Sequence, residues 1–340
     1  MSDAGDPLHQ EVPAHENPDV ALSVVIPAFN EAQRLQASFG RLLEVVADGI
    51  IEDATTEFIV VDDGSTDGTG ELARSLLAPL ARYRILRSES NIGKGSAIRI
   101  GIQAAAGRHI VFIDADMAMD PSQIPLISRA LEHSDLAIAS RALPDQGIDY
   151  GNWARNAMGR LFNRLVNLMT GLGLEDTQCG LKGFRAPVAR LLFHSNDSTR
   201  FAFDVEILAL ARKLGLSIAE VPVTWRNVAG SRIRPLKDPI SMIVDVVRLR
   251  IGRLPATPIP VIAPARGSSA EEAASRIVGW RFPMARSRRG GVAILVPLGS
   301  DEEVAGLAAQ LGSETREPDL VKTSTTYSQL IEADPYSLMN

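Results

Sequence analysis

Hydrophobic runs of strand length alternate with runs of helix length between residues 20 and 107. The strand-length runs, such as LSVVIPA and FIVV, are almost continuously apolar. Strands of this kind are typical of a parallel sheet that helices cover on both faces. The pattern predicts strands and helices in turn at Leu22–Ala28, Ala32–Val46, Glu57–Val61, Thr69–Leu77, Tyr83–Arg87 and Lys94–Ala106.

Two more strands are predicted at His109–Ile113 and Leu136–Ser140, with a helix between them that Pro121 can begin. Beyond Tyr150 the pattern becomes more helical. It predicts helices at Trp153–Thr170 and Ala202–Leu214, a strand at Ile218–Trp225 and a closing segment at Pro239–Leu249. Strands and helices in this order indicate an α/β fold with right-handed crossovers.

The two ends of the chain differ from this central region. Residues 1–19 are acidic and almost free of apolar side chains, so we expect a disordered lead. One folded domain is predicted over residues 20–254, followed by a stretch of linker composition at 255–276. The tail, residues 277–340, has no role that its sequence reveals. Its pattern predicts a strand and a short helix, at Val292–Val296 and Glu302–Gln310.

Composition narrows the classes of function. The chain has 35 Lys and Arg against 41 Asp and Glu, and this net charge of -6 argues against a nucleic-acid-binding protein. A single cysteine, Cys179, excludes an internal disulfide, and five histidines show no spacing typical of structural zinc. No apolar run reaches the roughly 18 residues of a membrane span, and no signal peptide is expected. A reducing cytoplasm fits these features.

The overall negative charge conceals a local excess of positive charge. Seven basic and two acidic residues lie between Arg226 and Arg253. Within this stretch, apolar residues of Pro239–Leu254 recur at helical spacing, with Arg248, Arg250 and Arg253 near the end. This pattern is found both in helices that lie on a membrane surface and in helices packed on a protein surface.

Polar residues follow four of the predicted strands directly. They are Asn30 and Glu31, Asp62 and Asp63, Asp114 and Asp116, and Arg141. Ligands of open parallel sheets lie at the carboxyl ends of the strands, so these side chains are candidates for one site. Two carboxylates as close as Asp114 and Asp116 repel unless a cation or a donor group lies between them, and a divalent metal on a diphosphate would supply that charge.

Three further features have explanations that involve no chemistry. Ser65, Thr66 or Asp67, which follow the Asp62–Asp63 pair, can cap the next helix. Gly93-Lys94-Gly95 lacks the spacing of a dinucleotide fingerprint and is interpreted as the start of a helix. Cys179 has no histidine nearby in the sequence and is interpreted as a buried structural thiol.

The motifs PAFNE, VVDDGSTDGT, NIGKGSAIRIG, FIDADM and SR occur in this order on these elements. Together they resemble family 2 glycosyltransferases of the GT-A fold over residues 20–254. DTQCGLKGF and FAFDVE resemble more specifically the dolichyl-phosphate β-glucosyltransferases and their bacterial relatives. The resemblance implies a Rossmann-like, mostly parallel sheet flanked by helices, in a single catalytic domain with a C-terminal extension.

The resemblance also implies a donor site. The residues that would hold the nucleoside of a nucleotide sugar are Pro27, Phe29, Glu31, Val61, Asp63, Asp114 and Ala115. Asp114 and Asp116 would bind Mg2+ or Mn2+ at the diphosphate. Where mannosyl relatives carry a glutamine two residues after this pair, the chain has Ala118, which puts a third protein ligand in doubt.

On the acceptor side, the family implies a lipid phosphate. Arg141 would contact the sugar or the phosphates, and Asp176 is the candidate acceptor-side carboxylate, so that Asp116, Asp176 and Arg141 form the expected catalytic set. Lys182, Arg232 and Arg234 are candidates for the acceptor phosphate. The alternative for those three is solvated surface charge.

The expected function is inverting transfer of a hexose, glucose from UDP-glucose, to polyprenyl or dolichyl phosphate. The protein would act in the cytoplasm as a peripheral protein at the inner face of the membrane. Alternatives are GDP-mannose as donor, a soluble or protein acceptor, and a nucleotide-sugar-binding module without turnover. A processive polysaccharide synthase is disfavoured, because its QxxRW motif and its membrane helices are both missing from the sequence.

Overall fold

The first three βα units form as predicted, with boundaries that differ by a few residues at most. They are β1 (Leu22–Ala28), α1 (Ala32–Ala47), β2 (Thr56–Asp62), α2 (Thr69–Leu77), β3 (Tyr83–Arg87) and α3 (Lys94–Ala104). Every residue of β1 and β2 is buried. Helices cover both faces of these strands, which explains why the strands lack the alternation of polar and apolar residues that is typical of a half-exposed sheet.

A computed structural model describes residues 19–142, 163–168, 170–194 and 203–224, and the backbone of four short strands nearer the C-terminus. The remaining elements of the main part are β4 (His109–Ile113), α4 (Ile124–Ala130), β5 (Leu136–Ser140), α5 (residues 163–168), β6 (Leu181–Arg185), α6 (Ala186–His194), α7 (Phe203–Lys213) and β7 (Ile218–Pro222). A 3-10 turn, Pro121–Gln123, leads into α4.

Several sequence predictions lie outside the described residues. They concern residues 1–18, the first part of the helix predicted at Trp153–Thr170, the closing segment Pro239–Leu249 and the helix Glu302–Gln310. No helix in the described ranges is long and apolar enough to cross a membrane.

Seven strands form one mixed sheet in the order β3-β2-β1-β4-β6-β5-β7. Strand β6 runs antiparallel to β4 and β5, and all other neighbours are parallel. Strand β6 is not among the predicted strands, because LKGFR contains a lysine and a glycine and lacks the run of apolar residues that identifies the others. The fold is therefore α/β with a mostly parallel sheet, as predicted.

Apolar side chains on the two faces of the sheet form two separate cores. Along β1, Val25 belongs to one core, while Val24 and Ile26 belong to the other. Consecutive side chains of a strand point to opposite faces, so each strand contributes to both cores. Helix α1 packs on its face of the sheet through residues spaced at about one turn, namely Leu35, Phe39 and Leu42.

A second, antiparallel sheet has four strands, in the order β11-β8-β10-β9. These are β8 (Pro258–Ala263), β9 (Met284–Arg286), β10 (Val292–Leu295) and β11 (Val321–Thr326). The strand predicted at Val292–Val296 is confirmed. β8 lies within the stretch predicted to be a linker, 255–276, and that prediction stays a prediction. Pro258 and Pro260 lie opposite β11 but beyond the pairs that β10 makes, so the prolines have one neighbouring strand there.

Gly101 permits the close approach of α3 to the sheet. A Cβ at this position would overlap Val25 Cγ1 and lie 3.2 Å from Val61 Cγ2. We expect Gly101→Ala to lower the free energy of unfolding in urea by roughly 1–3 kcal/mol, because the added methyl overpacks a buried contact.

Gly40 in α1 is the matched control, since no atom lies within 4 Å of its added Cβ. We expect Gly40→Ala to raise the same free energy by roughly 0.5–1 kcal/mol through helix propensity. Equal effects of the two substitutions would show that α3 does not depend on a close approach at Gly101.

Candidate functional site

The loops that follow β1 and β2 are joined by hydrogen bonds at the carboxyl edge of the sheet. The amide of Asn30 donates to Ser65 Oγ at 2.9 Å, and the amide of Thr66 donates to Asn30 Oδ1 at 2.9 Å. Asn30 has a φ of 53°, which asparagine tolerates better than most residues. Asp67 accepts from the amide of Thr69 at the start of α2 and from the amide of Ala32 at the start of α1.

Of the three possible helix-capping residues, only Asp67 therefore bonds to the first residue of α2. Ser65 and Thr66 bond to Asn30 instead. The preceding Asp62 is fully buried, and its Oδ1 accepts from the amide of Ser65 at 2.8 Å. These contacts give the DDGSTDGT motif a structural role in holding the two loops together.

Asp63 connects the end of β2 to the start of α3. Its two carboxylate oxygens accept from the amides of Ile92 and Gly93, at 2.8 and 2.9 Å. Burial raises the pKa of Asp63, although these two amide bonds partly offset the rise. Gly93 has a φ of 96°, in the region that favours glycine. Asp63 thereby fixes the residue that comes next, Lys94.

Lys94 lies among the carboxylates that the sequence analysis assigned to a metal. Its Nζ is 2.6 Å from Asp114 Oδ1. Burial lowers the pKa of Lys94, but Asp114, Asp204 and Asp116 together raise it above its usual value. The interpretation of Gly93-Lys94-Gly95 as a helix start is confirmed, since α3 begins at Lys94. This ion pair is not predictable from the motif itself.

Asp116 is the second of the two partly buried carboxyl groups after β4. Burial, together with the nearby Asp114, raises its pKa above the usual value. Helix α1 holds the backbone here, because Ser38 Oγ and Arg41 Nη2 both donate to the carbonyl of Asp116, at 3.3 and 3.2 Å. A cation beside Asp116 would relieve the electrostatic cost of its charged form.

Asp114 and Asp116 supply only two carboxylates. Such a pair suits an ion such as Mg2+ or Mn2+ that completes its coordination shell with phosphate oxygens and water. Within the described ranges no group of three or more His, Cys, Asp and Glu side chains is placed to hold a metal by itself. Ala118 contributes only its amide, which donates to Asp116 Oδ1 at 3.1 Å. The residues present therefore fit a metal that arrives with a nucleotide.

Gly180 packs directly on Asp114. A Cβ at Gly180 would overlap the carboxylate of Asp114, and the amide of Asp114 donates to the carbonyl of Gly180 at 3.2 Å. Gly180 lies in the turn before β6, so the insertion of β6 beside β4 brings the TQCG turn against the metal-binding candidates. The family signature that contains TQCG does not by itself indicate a role for this glycine.

Arg141 and Asp176 form a two-pronged ion pair. Asp176 Oδ2 is 2.6 Å from Arg141 Nε, and Asp176 Oδ1 accepts from Arg141 Nη2 at 3.0 Å. The backbone amide of Arg141 also donates to Asp176 Oδ2, at 3.1 Å. Burial favours a higher pKa for Asp176, but Arg141 outweighs it and holds the pKa below its usual value.

Lys182 is buried, with 1% of its side chain exposed. Its Nζ lies 2.7 Å from Asp204 Oδ1 and donates to the carbonyl of Cys179 at 2.6 Å. It also lies over the ring of Phe112. The alternative of solvated surface charge is wrong for Lys182. Its assignment to the acceptor phosphate stays a prediction, while Arg232 and Arg234 lie outside the described residues.

The other candidate donor residues lie near the ends of their strands. Pro27 and Val61 are paired across β1 and β2, and both are buried, as is Ala115. Phe29 is 36% exposed and is one of the few large apolar side chains at the surface of the described residues. Glu31 is partly buried and pairs with Arg34.

Cys179 is confirmed as a buried thiol. Its Sγ lies 3.4 Å from the sulfur of Met119, and burial raises its pKa to about 11. A thiol with so high a pKa is neutral near pH 7 and is a poor nucleophile.

Replacement of Lys182 tests the buried ion pair. We expect Lys182→Met to lower the free energy of unfolding by about 3–5 kcal/mol, because it leaves the charge of Asp204 buried without a partner. Urea denaturation followed by circular dichroism measures this loss.

The double variant Lys182→Met/Asp204→Leu is the control, since it removes both charges together. We expect it to recover most of the lost stability. If the single variant were as stable as the parent, Lys182 and Asp204 would not form a buried pair.

Comparisons with known proteins agree on the family and on the fold. The profile of Glycosyl transferase family 2 matches residues 23–193. The dolichyl-phosphate beta-glucosyltransferase of Dictyostelium discoideum is 34% identical over 249 residues, which cover 69% of this chain and 76% of the relative. The enzyme of that name from Drosophila melanogaster is 39% identical over 233 residues, covering 65% and 71%.

Among solved structures, glucosyl-3-phosphoglycerate synthase from Mycobacterium tuberculosis has a TM-score of 0.51 at 22% identity, over 72% of this chain and 85% of that one. That crystal structure contains Mn2+, UDP and glucosyl-3-phosphoglycerate. The likeness confirms the predicted GT-A fold. With the family profile over half of the chain and relatives above 30% identity, the protein belongs to glycosyltransferase family 2.

Proposed function

We propose that the protein transfers glucose from UDP-glucose to dolichyl phosphate or a similar polyprenyl phosphate, with inversion at the anomeric carbon. The observation that carries the proposal is the arrangement of Asp114 and Asp116 beside Lys94 at the carboxyl edge of a GT-A sheet. The names of the similar Dictyostelium and Drosophila enzymes support glucose as the sugar and dolichyl phosphate as the acceptor.

On the donor side, Asp114 and Asp116 would hold Mg2+ or Mn2+. A bound metal supplies positive charge that stabilises the departing nucleoside diphosphate. The UDP and Mn2+ in the mycobacterial synthase support this assignment. Phe29 offers an exposed ring at the end of β1 for the uracil. The remaining contacts to the nucleoside would come from Pro27, Glu31, Val61, Asp63 and Ala115.

On the acceptor side, a phosphate oxygen of the lipid attacks the anomeric carbon. A bond from that oxygen to the carbon forms, and the bond from the carbon to the diphosphate breaks, with UDP taking the electron pair. The attacking phosphate is already an anion, so the step needs no strong general base. The cations near the two carboxylates in the described residues include Lys94, Arg34 and Arg141, and Lys94 and Arg141 would stabilise the negative charges of both substrates.

The lipid acceptor places the reaction at a membrane surface, and we propose peripheral attachment at the cytoplasmic face. The support comes from the sequence of Pro239–Leu254, which combines an apolar stripe with a cluster of arginines. Anionic lipid headgroups attract basic segments of this kind, and each Lys or Arg near the membrane surface contributes about 1 kcal/mol to the binding free energy.

Transfer of radiolabelled glucose from UDP-glucose into the lipid fraction tests the proposal. We expect activity that requires Mg2+ or Mn2+ and that falls by at least about a hundredfold in Asp116→Asn, because the variant loses a charged metal ligand. Glu132→Gln is the matched control, since it removes an exposed carboxylate elsewhere on the molecule and should leave the rate unchanged.

The same reactions distinguish the alternatives. Release of GDP from labelled GDP-mannose, with the label recovered in the lipid, would identify a different donor. Transfer of the sugar to a soluble acceptor would identify a different acceptor. Binding of UDP-glucose without transfer to any acceptor would indicate a binding module. When the acceptor is embedded in vesicles, flotation shows whether the protein travels with the membrane, and a protein left in solution would oppose peripheral attachment.

A further inference from the structure

The ion pair between Arg141 and Asp176 joins two parts of the chain at the edge of the site. Arg141 follows β5, and Asp176 lies in the turn that precedes β6. The carboxylate bonds both to the guanidinium and to the backbone amide of Arg141. It therefore fixes the main chain and the side chain of Arg141 at once.

The arrangement places the carboxylate inside and the guanidinium outside. The side chain of Asp176 is 10% exposed, whereas that of Arg141 is 40% exposed. Asp176 Oδ2 is engaged by Nε and the backbone amide of Arg141, and Oδ1 is engaged by Nη2 and by the amide of Gln178 at 3.3 Å. A substrate that approaches from solvent meets Arg141 before it meets Asp176.

Such a carboxylate is poorly suited to accept a proton. Each of its oxygens already accepts two hydrogen bonds, and the positive charges of Arg141 and Lys182 hold its pKa down against the effect of burial. Other titratable groups near it in the described part of the chain include Cys179 in the same turn, Glu175 and Glu220. A general base requires a pKa near the working pH, which this environment opposes.

The pair leaves a defined part of the guanidinium available. Asp176 takes Nε and one hydrogen of Nη2, so Nη1 and the outer hydrogen of Nη2 face away from the carboxylate. Those donors form a second fork, which matches two oxygens of a phosphate group. Because the fork is held in place before binding, less side-chain entropy is lost when a phosphate arrives.

We propose that Asp176 is a positioning residue, which holds the guanidinium of Arg141 ready for a substrate phosphate, and that it does not act as the base of the reaction. This rests on the proposed function only in that the substrates carry phosphate groups. Asp176 acts through Arg141, so its removal should matter only while Arg141 is present.

Binding measurements test the coupling without turnover. The probes are UDP with Mg2+ and citronellyl phosphate, a short polyprenyl phosphate, each titrated by calorimetry. We expect Arg141→Met to weaken one of the two probes, and Asp176→Asn to weaken the same probe by about tenfold. In the Arg141→Met background, Asp176→Asn should change the affinity by less than about twofold.

Three controls separate positioning from loss of structure. Asp176→Glu keeps the charge, and we expect it to bind the probe more tightly than Asp176→Asn does. Glu175→Gln removes an exposed charge from the preceding residue and should bind as the parent does. Circular dichroism melting curves identify any variant that fails to fold. If Asp176→Asn misfolds, the probe affinities of Asp176→Glu and Arg141→Met are compared with that of the parent instead.

The kinetic readout is the pH dependence of kcat. If Asp176 is a positioning residue, the fall of kcat at low pH stays in place in the Asp176→Asn variant. If it is a base, that fall at low pH is lost, and kcat itself drops by about a hundredfold to ten-thousandfold with binding unchanged. That result would overturn the proposal. It is also overturned if the fold losses of affinity in Arg141→Met and Asp176→Asn multiply in the double variant. A failure of Arg141→Met to weaken the binding of either probe would overturn it as well.

These outcomes are independent of the proposed transfer reaction. A protein that binds its probe through the coupled pair but moves no glucose would contradict the proposed function and leave the positioning role intact. A protein that moves glucose while the two substitutions act independently would contradict the positioning role alone.

Discussion

Compensation of buried charge at the carboxyl edge of the sheet is the constraint on which the site depends. A carboxylate that loses contact with water must find a cation or hydrogen-bond donors, or its charged form becomes too costly. Two buried carboxylates pair with cations, Asp176 with Arg141 and Asp204 with Lys182, and the partly exposed Asp114 pairs with Lys94. Each pair joins elements that are distant in the sequence, so the arrangement of charge also holds the elements of the site together.

The antiparallel strand β6 makes this arrangement possible. Its place between β4 and β5 brings the turn at Asp176–Gly180 next to the ends of both strands. From that turn Asp176 reaches Arg141 after β5, and Gly180 packs on Asp114 after β4. One short turn thus fixes a candidate phosphate-binding group and a candidate metal ligand. A wholly parallel sheet would lack this connection.

The sequence predicts the strands that consist of long apolar runs, and it predicts the polar residues that directly follow those strands. The boundaries of β1 and the location of Asp114 and Asp116 follow from such runs. The sequence did not reveal β6, because the burial of Lys182 depends on Asp204, and that partner is only apparent once the chain is folded. Lys94 was missed for the same reason, since its motif also has an ordinary explanation as a helix start.

We propose that a lipid phosphate displaces UDP directly at the anomeric carbon, in a site where Lys94 pairs with Asp114 and Arg141 pairs with Asp176. The most direct measurement is the NMR spectrum of the lipid product made from UDP-glucose labelled with 13C at the anomeric carbon. The account predicts a β-linked glucosyl group whose labelled carbon is coupled to a single phosphorus. An α-linked product, or a labelled carbon with no coupling to phosphorus, would contradict it.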